Sequence, residues 1–579
     1  MKDNVLLRLV KMFRPYVGVI ILAALCVLLV NMAQLAKPYI IKTVIDDFLL
    51  GGRPEQGFYS IPFMGMLYLT VIIFGSFLSY WQVVLMNAVA QQILSQLRQA
   101  VFSHIQHLPL RLLERLSTGR LITRATNDVE ALNQMYTDVL ISIFKDVFLL
   151  IGIIVVMFRL DARLAIVSLV TVPLIAILIG MLKKRIKANF THIKSLIGQI
   201  NGFMSENISG MKIVQIFHCE KLKLAEFISL NEEYNSVTKF QIQLNSLLKP
   251  GMEVVQTLAV AVIIWYGMDQ LTVYNVELGV IYAFTSYIKQ FFSPISELAD
   301  SYTTIQSALV SAGRIFELLD CEPELENMDA GIRVGKLKGE IEFKNVFFAY
   351  QDEDWILQNV SFCIKAGEIA AFVGETGAGK TTIISLLSRF YPVGRGEITI
   401  DGINIQEINL RDLRKNIGVV LQDVFLFAGD IKSNIALNNT LTDSDIEQAL
   451  ATSCAAAFVR ELPGGLQEAV AENGRMFSAG QRQLLSLARA LAHQPTMLVL
   501  DEATSNIDTK TEQLLQQSIT NIAHRHTMVI IAHRLSTVRR ADKIIVMDKG
   551  KVVETGSHDE LIKRSGYYRE LYETQAFAT

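Results

Sequence analysis

The run Gly374-Glu-Thr-Gly-Ala-Gly-Lys380-Thr381 has the residue types and the spacing of a phosphate-binding loop, G-x-x-x-x-G-K-[ST]. Its glycines allow backbone N–H groups to close around phosphate oxygens, and its lysine offsets the charge of the phosphates. The strand-like run 369–373 precedes the loop and the helical run 382–387 follows it, which is the context that the motif needs. The sequence therefore predicts nucleotide binding here, with the Thr381 hydroxyl on Mg²⁺.

A second run, from Met497 to Glu502, is a short apolar strand with two carboxylates at its end. An adjacent Asp–Glu pair by itself is typical of a solvated strand end. Beside a phosphate-binding loop, Asp501 is suited to organise Mg²⁺. Glu502 is then suited to act as a general base that orients or deprotonates the attacking water.

A third run, residues 477–483, reads Phe-Ser-Ala-Gly-Gln-Arg-Gln and lies about twenty residues before the Asp–Glu pair. It resembles the signature motif of ABC (ATP-binding-cassette) ATPases, usually written L-S-G-G-Q. Gln422 resembles the Q-loop glutamine of that family, and Asp508 resembles the aspartate of its D-loop. His533 resembles the switch histidine, and Tyr350 resembles the aromatic residue that stacks on adenine.

The resemblance implies an ATP hydrolase that uses ATP and Mg²⁺. It assigns catalytic roles to Glu502, His533 and Gln422. It assigns magnesium ligation to Thr381, Gln422 and Asp501. The residues that it assigns to nucleotide binding are Tyr350, Gly374, Glu375, Thr376, Gly377, Ala378, Gly379, Lys380, Thr381, Thr382, Ser478, Gly480, Gln481 and Asp508.

The elements that position these residues occupy only the second half of the chain. Of the 579 residues, 51% are hydrophobic and 19% are charged, and the apolar excess lies in the first 300 positions. A helix needs roughly 20 apolar residues to cross a bilayer. Six segments satisfy this requirement, and they centre near 17–36, 64–86, 138–158, 162–182, 250–270 and 277–296.

The distribution of basic residues predicts the orientation of these spans. Lys2, Arg8, Lys11 and Arg14 precede the first span, which places the N-terminus in the cytoplasm by the positive-inside rule. The connections 89–137 and 183–248 are also rich in Lys and Arg, whereas the loops after the first and fifth spans are not. We therefore expect an integral protein of the bacterial cytoplasmic membrane with its ATPase domain in the cytoplasm.

Charge and cysteine usage exclude other classes of protein. The formal net charge is only −2 and no run of like charges dominates, so nothing favours a nucleic-acid partner. The five cysteines are far apart and show no C-x-x-C spacing. Neither a zinc site nor a disulfide framework is therefore indicated.

Six spans followed by one cassette is the layout of half-size ABC exporters, which the chain resembles over its whole length. The implied fold is an all-α membrane domain of six helices (1–310), a linker (311–337) and an α/β P-loop domain (338–579). Within that family, residues 111–128 and 205–220 resemble the two coupling loops that dock on the cassettes. Glu472 resembles the acidic residue that meets those loops in exporters.

The resemblance also implies a second half-transporter subunit. In the family, Ser478 and Gly480 of one cassette contact the γ-phosphate held by the other, in a head-to-tail sandwich. Here Ala479 replaces the usual second glycine, while Glu502 keeps the base. This combination resembles the catalytic-glutamate-bearing subunit of bacterial heterodimeric multidrug-type exporters. The heterodimer is favoured and the homodimer stays open.

The expected activity is ATP-driven export of amphipathic, lipid-like or drug-like molecules. An importer or a nucleotide-gated channel on the same scaffold stays an alternative, although Glu502 speaks against the channel. Membrane lipids and a small-molecule or lipid substrate are the other expected partners. Two sets of residues are open between cargo contact and a structural role: Lys145, Glu253 and Lys289, and the aromatic residues Tyr282, Phe284, Tyr287, Phe291 and Phe292.

Overall fold

A computed structural model describes residues 2–50, 60–274, 277–323, 330–350, 354–437, 441–501, 509–532 and 538–576. The chain divides into two units. The first comprises Met1–Ser103 and Gly119–Cys321, and the second comprises His104–Thr118 and Glu322–Thr579. The domain limits expected from the sequence, 1–310, 311–337 and 338–579, stay a prediction.

The described residues before Glu322 form helices joined by short turns. The helices are α1 (Lys2–Lys11), α2 (Val17–Thr43), α3 (Ile61–His107), α4 (Leu110–Arg115), α5 (Thr118–Ala125), α6 (Asn127–Gln134), α7 (Leu140–Leu160), α8 (Ala162–Leu169), α9 (Thr171–Ser209), α10 (Met211–Ile216), α11 (Glu220–Tyr274) and α12 (Leu278–Leu319). A π-helical stretch, Val44–Leu50, extends α2, and another, Met135–Val139, joins α6 to α7. Asp161 begins α8, and its carboxylate accepts hydrogen bonds from the N–H groups of Arg163 and Leu164.

Four helical segments within the described residues are long and apolar enough to cross a membrane: Val5–Leu50, Ile61–His107, Thr118–Leu160 and Glu220–Met268. They contain the first, second, third and fifth spans expected from the sequence. The fourth expected span lies in α8 and α9, and the sixth lies in α12.

Helix α12 lies at the core of the helical unit. Phe284, Tyr287 and Ile288 are completely buried and pack with residues of α7 and α11, such as Ile153 and Ile263. The Tyr287 hydroxyl donates a hydrogen bond of 2.7 Å to the Leu35 carbonyl of α2. Of the five aromatic residues considered above, Phe284, Tyr287, Phe291 and Phe292 therefore pack in the core, whereas Tyr282 is 38% exposed.

The second unit is built on strands. They are β1 (Ile341–Ala349), β2 (Trp355–Ile364), β3 (Ile369–Val373), β4 (Arg395–Ile400), β5 (Ile403–Asn404), β6 (Ile417–Val420), β7 (Gly429–Asp430), β8 (Ala469–Val470), β9 (Met497–Asp501), β10 (Thr527–Ile531), β11 (Lys543–Asp548) and β12 (Lys551–Gly556). One sheet has the order β2-β1-β4-β5 and is antiparallel. A larger sheet has the order β12-β11-β3-β10-β9-β6.

Five neighbouring strands of the larger sheet are parallel, and only β12 is antiparallel. Strands β3, β9 and β10 are buried along their whole length, as expected of parallel strands covered on both faces. In such a sheet the carboxyl ends of the parallel strands share one edge, and ligands bind there. The loops after β3, β6, β9 and β10 therefore leave the sheet at the same edge.

The described residues of the second unit also form helices. They are α13 (Lys380–Leu387), α14 (Leu410–Asn416), α15 (Ile431–Ala436), α16 (Asp443–Thr452), α17 (Ala456–Glu461), α18 (Ala479–Ala492), α19 (Thr509–Ile522), α20 (His558–Lys563) and α21 (Tyr567–Ala576). Helix α13 leads out of the β3 loop, and α18 leads into β9. These two helices carry the phosphate-binding motif and the signature-like motif at their first turns.

Candidate nucleotide-binding site

The loop between β3 and α13 has a backbone that requires glycine at both ends. A Cβ atom on Gly374 would lie 2.1 Å from the carbonyl oxygen of Met547, so a larger residue has no room there. Gly379 has a φ of 97°, in the left-handed region that favours glycine, and α13 begins at the next residue. The loop is thus shaped by backbone requirements that match the motif.

Lys380 lies over this loop. Its side chain is buried, and its Nζ donates hydrogen bonds to the carbonyl oxygens of Gly374 (2.7 Å) and Glu375 (2.8 Å). The first turn of α13 has no side-chain cap from Gly379, so its N–H groups can serve an external acceptor. A lysine and uncapped N–H groups at one helix start fit the phosphates of a nucleotide.

Two further predicted residues stand at the same sheet edge. Asp501 is the last residue of β9 and is 6% exposed. Gln422 follows β6, and its carbonyl oxygen accepts a hydrogen bond of 3.2 Å from Nε2 of Gln483. A carboxylate, an amide oxygen and the exposed hydroxyl of Thr381 are hard oxygen ligands of the kind that Mg²⁺ prefers.

Tyr350 stands beside the phosphate-binding helix. Its hydroxyl donates a hydrogen bond of 3.3 Å to Oγ1 of Thr382, which ties the ring to the first turn of α13. The ring makes edge contacts with Phe348 and Tyr391 at centroid distances of 4.9 and 5.0 Å. It is 39% exposed, so part of its surface is open to a flat partner such as adenine.

The first of the two coupling-loop segments contacts this aromatic cluster within the second unit. The Tyr391 hydroxyl donates a hydrogen bond to a carboxylate oxygen of Glu114, and Arg115 donates one of 3.4 Å to the Tyr350 carbonyl. Burial, followed by the Glu114 carboxylate, raises the pKa of the Tyr391 hydroxyl, which therefore stays a donor at neutral pH. Nothing in the sequence indicates this pair, because no spacing rule links residues 114 and 391.

The signature-like motif begins a different helix, α18. Ser478 is its N-cap residue: Ser478 Oγ accepts a hydrogen bond of 3.2 Å from the Gln481 N–H, and Gln481 Oε1 accepts one of 3.0 Å from the Ser478 N–H. Gly480 is buried in the first turn and Ala479 is partly exposed. In the single chain, Ser478 and Gln481 therefore cap each other.

Several predicted residues lie outside the described part of the chain. They are Glu502, the D-loop-like segment 505–508 with Asp508, and His533. Their roles stay predictions. The described chain leads to Glu502 through β9 and to His533 through β10 and Ala532, at the edge that carries the phosphate-binding loop.

The three charged residues predicted near the spans, Lys145, Glu253 and Lys289, do not line the same cavity. Lys145 lines a cavity in the helical unit, together with Asp146 and Glu297. Glu253 and Lys289 are exposed and do not line that cavity. Asp146 was not among the predicted residues, because a lone aspartate on an apolar helix carries no motif.

Comparison with known proteins assigns both halves of the chain. Residues 20–295 match the family model described as "ABC transporter transmembrane region", and residues 357–505 match the model described as "ABC transporter". A relative from Bacillus subtilis, "Probable multidrug resistance ABC transporter ATP-binding/permease protein YheH", is 39% identical over 90% of this chain and 78% of its own length. The chain belongs to the half-size ABC exporters.

Other ABC transporters agree with this assignment. The putative ABC transporter ATP-binding protein exp8 of Streptococcus pneumoniae is 36% identical over 99% of this chain and 98% of its own length. An ATP-dependent lipid A-core flippase of Syntrophus aciditrophicus is 32% identical over 98% of this chain and 94% of its own length. A solved bacterial Atm1-family ABC exporter with ATP bound has a TM-score of 0.80 and 28% identity, and the match covers 97% and 98% of the two chains.

These matches confirm the fold class, a helical membrane domain followed by an α/β nucleotide-binding domain. They also confirm that the ABC exporter is an ATP hydrolase and an integral membrane protein. As a half-size exporter, the chain works with a second ABC subunit.

Proposed function

We propose that this exporter hydrolyses ATP with Glu502 as general base and uses the energy to move amphipathic, lipid-like or drug-like molecules out across the cytoplasmic membrane. The observation that carries the proposal is the shared sheet edge. The phosphate-binding loop, Asp501 and Gln422 lie there, and the chain continues from Asp501 directly to Glu502. The same chain carries a helical membrane unit.

Each residue at that edge has a defined task in phosphoryl transfer. Lys380 and the N–H groups of α13 hold the β- and γ-phosphates, and the Tyr350 ring holds the adenine. Thr381, Gln422 and Asp501 would hold Mg²⁺, which supplies positive charge to the phosphate oxygens. Glu502 orients the attacking water and accepts its proton, and His533 stabilises the charge that develops.

A second subunit completes the site. The first turn of α18 offers backbone N–H groups and the Ser478 hydroxyl, a combination suited to an anion. In the head-to-tail arrangement, Ser478 and Gly480 face the γ-phosphate held by the partner subunit. Closing and opening of the two cassettes then drives the membrane units through segments 111–128 and 205–220.

The partner is proposed to be a different chain. Ala479 places a methyl group at the helix start, where the family pattern has glycine and where backbone and phosphate approach closely. A subunit that keeps Glu502 and has an altered signature is suited to a partner whose own ATP site is degenerate. The homodimer is the second candidate, because alanine is only one methyl group larger than glycine.

The proposed cargo follows from the relatives and the membrane unit. The relatives carry the names of a multidrug resistance transporter and of lipid A-core flippases. Apolar side chains such as Ile73, Phe74 and Trp265 are exposed on long helices of this chain and are suited to contact with lipid. An importer or a nucleotide-gated channel is the alternative, which the direction of transport in oriented vesicles distinguishes.

The first experiment is ATP turnover of the purified chain in lipid, with Glu502→Gln and, as a matched control, Glu447→Gln on the exposed face of α16. Negligible turnover of the folded, ATP-binding chain alone, restored by a second subunit and then lost in Glu502→Gln, supports the proposal. Robust turnover of the chain alone that is lost only in Glu502→Gln would instead establish a homodimer. Turnover that survives Glu502→Gln would exclude Glu502 as the base.

A further inference from the structure

A polar cavity lies within the helical unit, between α2, α7 and α12. Its volume is about 330 Å³, and it is lined by the polar residues Gln34, Lys37, Lys145, Asp146, Gln290 and Glu297. Leu149 and Pro294 form an apolar part of its wall. Four charged side chains around one cavity are unusual in helices of this apolar composition, because charge inside a membrane segment is costly.

Asp146 is a buried residue of this cavity whose carboxylate has no hydrogen-bond partner among the residues that the structure describes. The residue is 1% exposed, and this holds for both of its carboxylate oxygens. A buried carboxylate accepts hydrogen bonds and donates none, so its missing partners must be donors. A buried polar group without a partner is destabilising, and a bound ligand that supplies the missing donors is one explanation for it.

The neighbouring side chains do not supply those donors. Lys37 and Lys145 line the cavity, yet neither forms an ion pair with Asp146 among the described residues. Both are longer than aspartate and only partly buried, so their ammonium groups can reach toward water. Glu297 is itself an acceptor, since its Oε1 accepts a hydrogen bond of 2.9 Å from the Ser293 hydroxyl.

The backbone that carries Asp146 is fixed in place. Nδ2 of Asn31 on α2 donates a hydrogen bond of 2.9 Å to the carbonyl oxygen of Lys145, the residue before Asp146. This bond ties the backbone next to Asp146 to α2, and Asp146 lines the wall of the cavity.

We propose that this cavity binds the protonated amine of an amphipathic cargo, whose N–H groups donate to the Asp146 carboxylate. Glu297 offers a second carboxylate, and Leu149 and Pro294 offer an apolar surface to the part of the cargo next to its amine. An anionic head group does not explain the cavity, because it would leave Asp146 without a donor. The inference rests on the proposed export function and adds a cargo class to it.

The test is equilibrium binding of a fluorescent primary amine, dansylcadaverine, to the full chain in lipid nanodiscs without nucleotide. Its N-acetyl derivative, which lacks the charge and the ammonium donors, is the matched ligand. We expect Asp146→Asn to weaken binding of the amine by at least about tenfold, the loss of a charge-assisted hydrogen bond. Binding of the acetylated ligand should not change.

Two variants separate this role from a structural one. Asp146→Glu keeps the carboxylate and should retain tighter amine binding than Asp146→Asn, which shows that the fold tolerates substitution there. Asp138→Asn removes an exposed carboxylate two turns earlier and should bind the amine like the wild type. Equal amine affinity in Asp146→Asn and the wild type, or equal affinity of the wild type for the two ligands, overturns the proposal.

ATP turnover of the wild-type chain with its partner subunit keeps this proposal distinct from the export function. A chain that binds the amine through Asp146 but hydrolyses no ATP refutes the proposed function and leaves the amine site standing. A chain that hydrolyses ATP but binds the amine without Asp146 refutes the amine site and leaves the proposed function standing.

Discussion

In the nucleotide-binding unit, the phosphate-binding motif and the signature-like motif lie at the first turns of α13 and α18, and these two first turns differ in their side-chain caps. At the start of α13, Gly379 gives no side-chain cap, and Lys380 donates hydrogen bonds to two carbonyl groups of its own loop. At the start of α18, Ser478 and Gln481 satisfy each other's backbone N–H groups. The first start is open to a ligand, whereas the second is stable without one.

This difference explains why one chain can bind ATP but not complete its site. The uncapped N–H groups at the start of α13 gain acceptors when they bind phosphate. A capped start loses little when no anion is present. The first turn of α18 is therefore stable in the single chain, before it meets the phosphate held by a second subunit.

The largest expected effect comes from Lys380→Met. The substitution removes the cation from the open helix start, and ATP affinity should fall by about 10- to 100-fold, as expected for lost hydrogen bonds to a charged group. Fluorescence titration of ATP measures this change. Lys365→Met is the matched control, because Lys365 is exposed in the turn before β3, at the opposite edge of the sheet. An equal loss of ATP affinity in the two variants would show that ATP responds to the total charge of the protein and not to the lysine at the first turn of α13.

Gly374→Ala should weaken ATP binding by about 5- to 100-fold. The added Cβ would lie 2.1 Å from the Met547 carbonyl oxygen, and relieving such an overlap costs about 1–3 kcal/mol. Gly402→Ala is the control, since Gly402 also has a positive φ, of 79°, but no atom within 4 Å of an added Cβ. The same titration compares the two. Normal ATP affinity in Gly374→Ala would contradict the shape argument for the loop.

Ser478→Ala removes the cap of α18 and should destabilise its first turn by about 1 kcal/mol. Amide hydrogen exchange in residues 479–483 should become about fivefold faster, whereas ATP affinity at the chain's own phosphate-binding loop should not change. Thr442→Ala, which removes the capping box of α16, is the control and should accelerate exchange only there. Weaker ATP binding in Ser478→Ala would mean that the first turn of α18 influences ATP binding at the first turn of α13.

The smallest effect is expected for Ala479→Gly, which gives the signature its usual second glycine. If the partner is a different subunit with a degenerate site, ATP turnover of the chain together with that subunit should change by less than about twofold, within the range of neutral surface substitutions. Phosphate release in lipid measures it. A larger rise would indicate a homodimer whose own signature is limited by the Ala479 methyl group.

The sequence was most informative where function depends on local order. The phosphate-binding loop, the strand ending in Asp501 and the start of α18 were all predicted, since each is set by residues a few positions apart. Six apolar spans were also predicted, and four of them coincide with segments that are long and apolar enough to cross a membrane. The contribution of Glu502, Asp508 and His533 stays a prediction.

Pairs distant in sequence were not predictable. The contact of Tyr391 with Glu114 joins residues 277 positions apart, and the cavity around Asp146 takes its walls from three helices. The aromatic residues of α12 illustrate the same limit, because the sequence left them open between cargo contact and packing. Their burial against α7 and α11 favours packing.

By itself, the sequence determined the family, the nucleotide chemistry and the apolar segments, because glycine conformation, strand ends and hydrophobic length act over short stretches of chain. Only the tertiary structure decided which side chains share an edge or a cavity. Ser478 forms hydrogen bonds within its own chain, whereas the Asp146 carboxylate has no partner among the described residues, and this difference depends on what packs around each residue. Packing brings together groups that no local pattern connects.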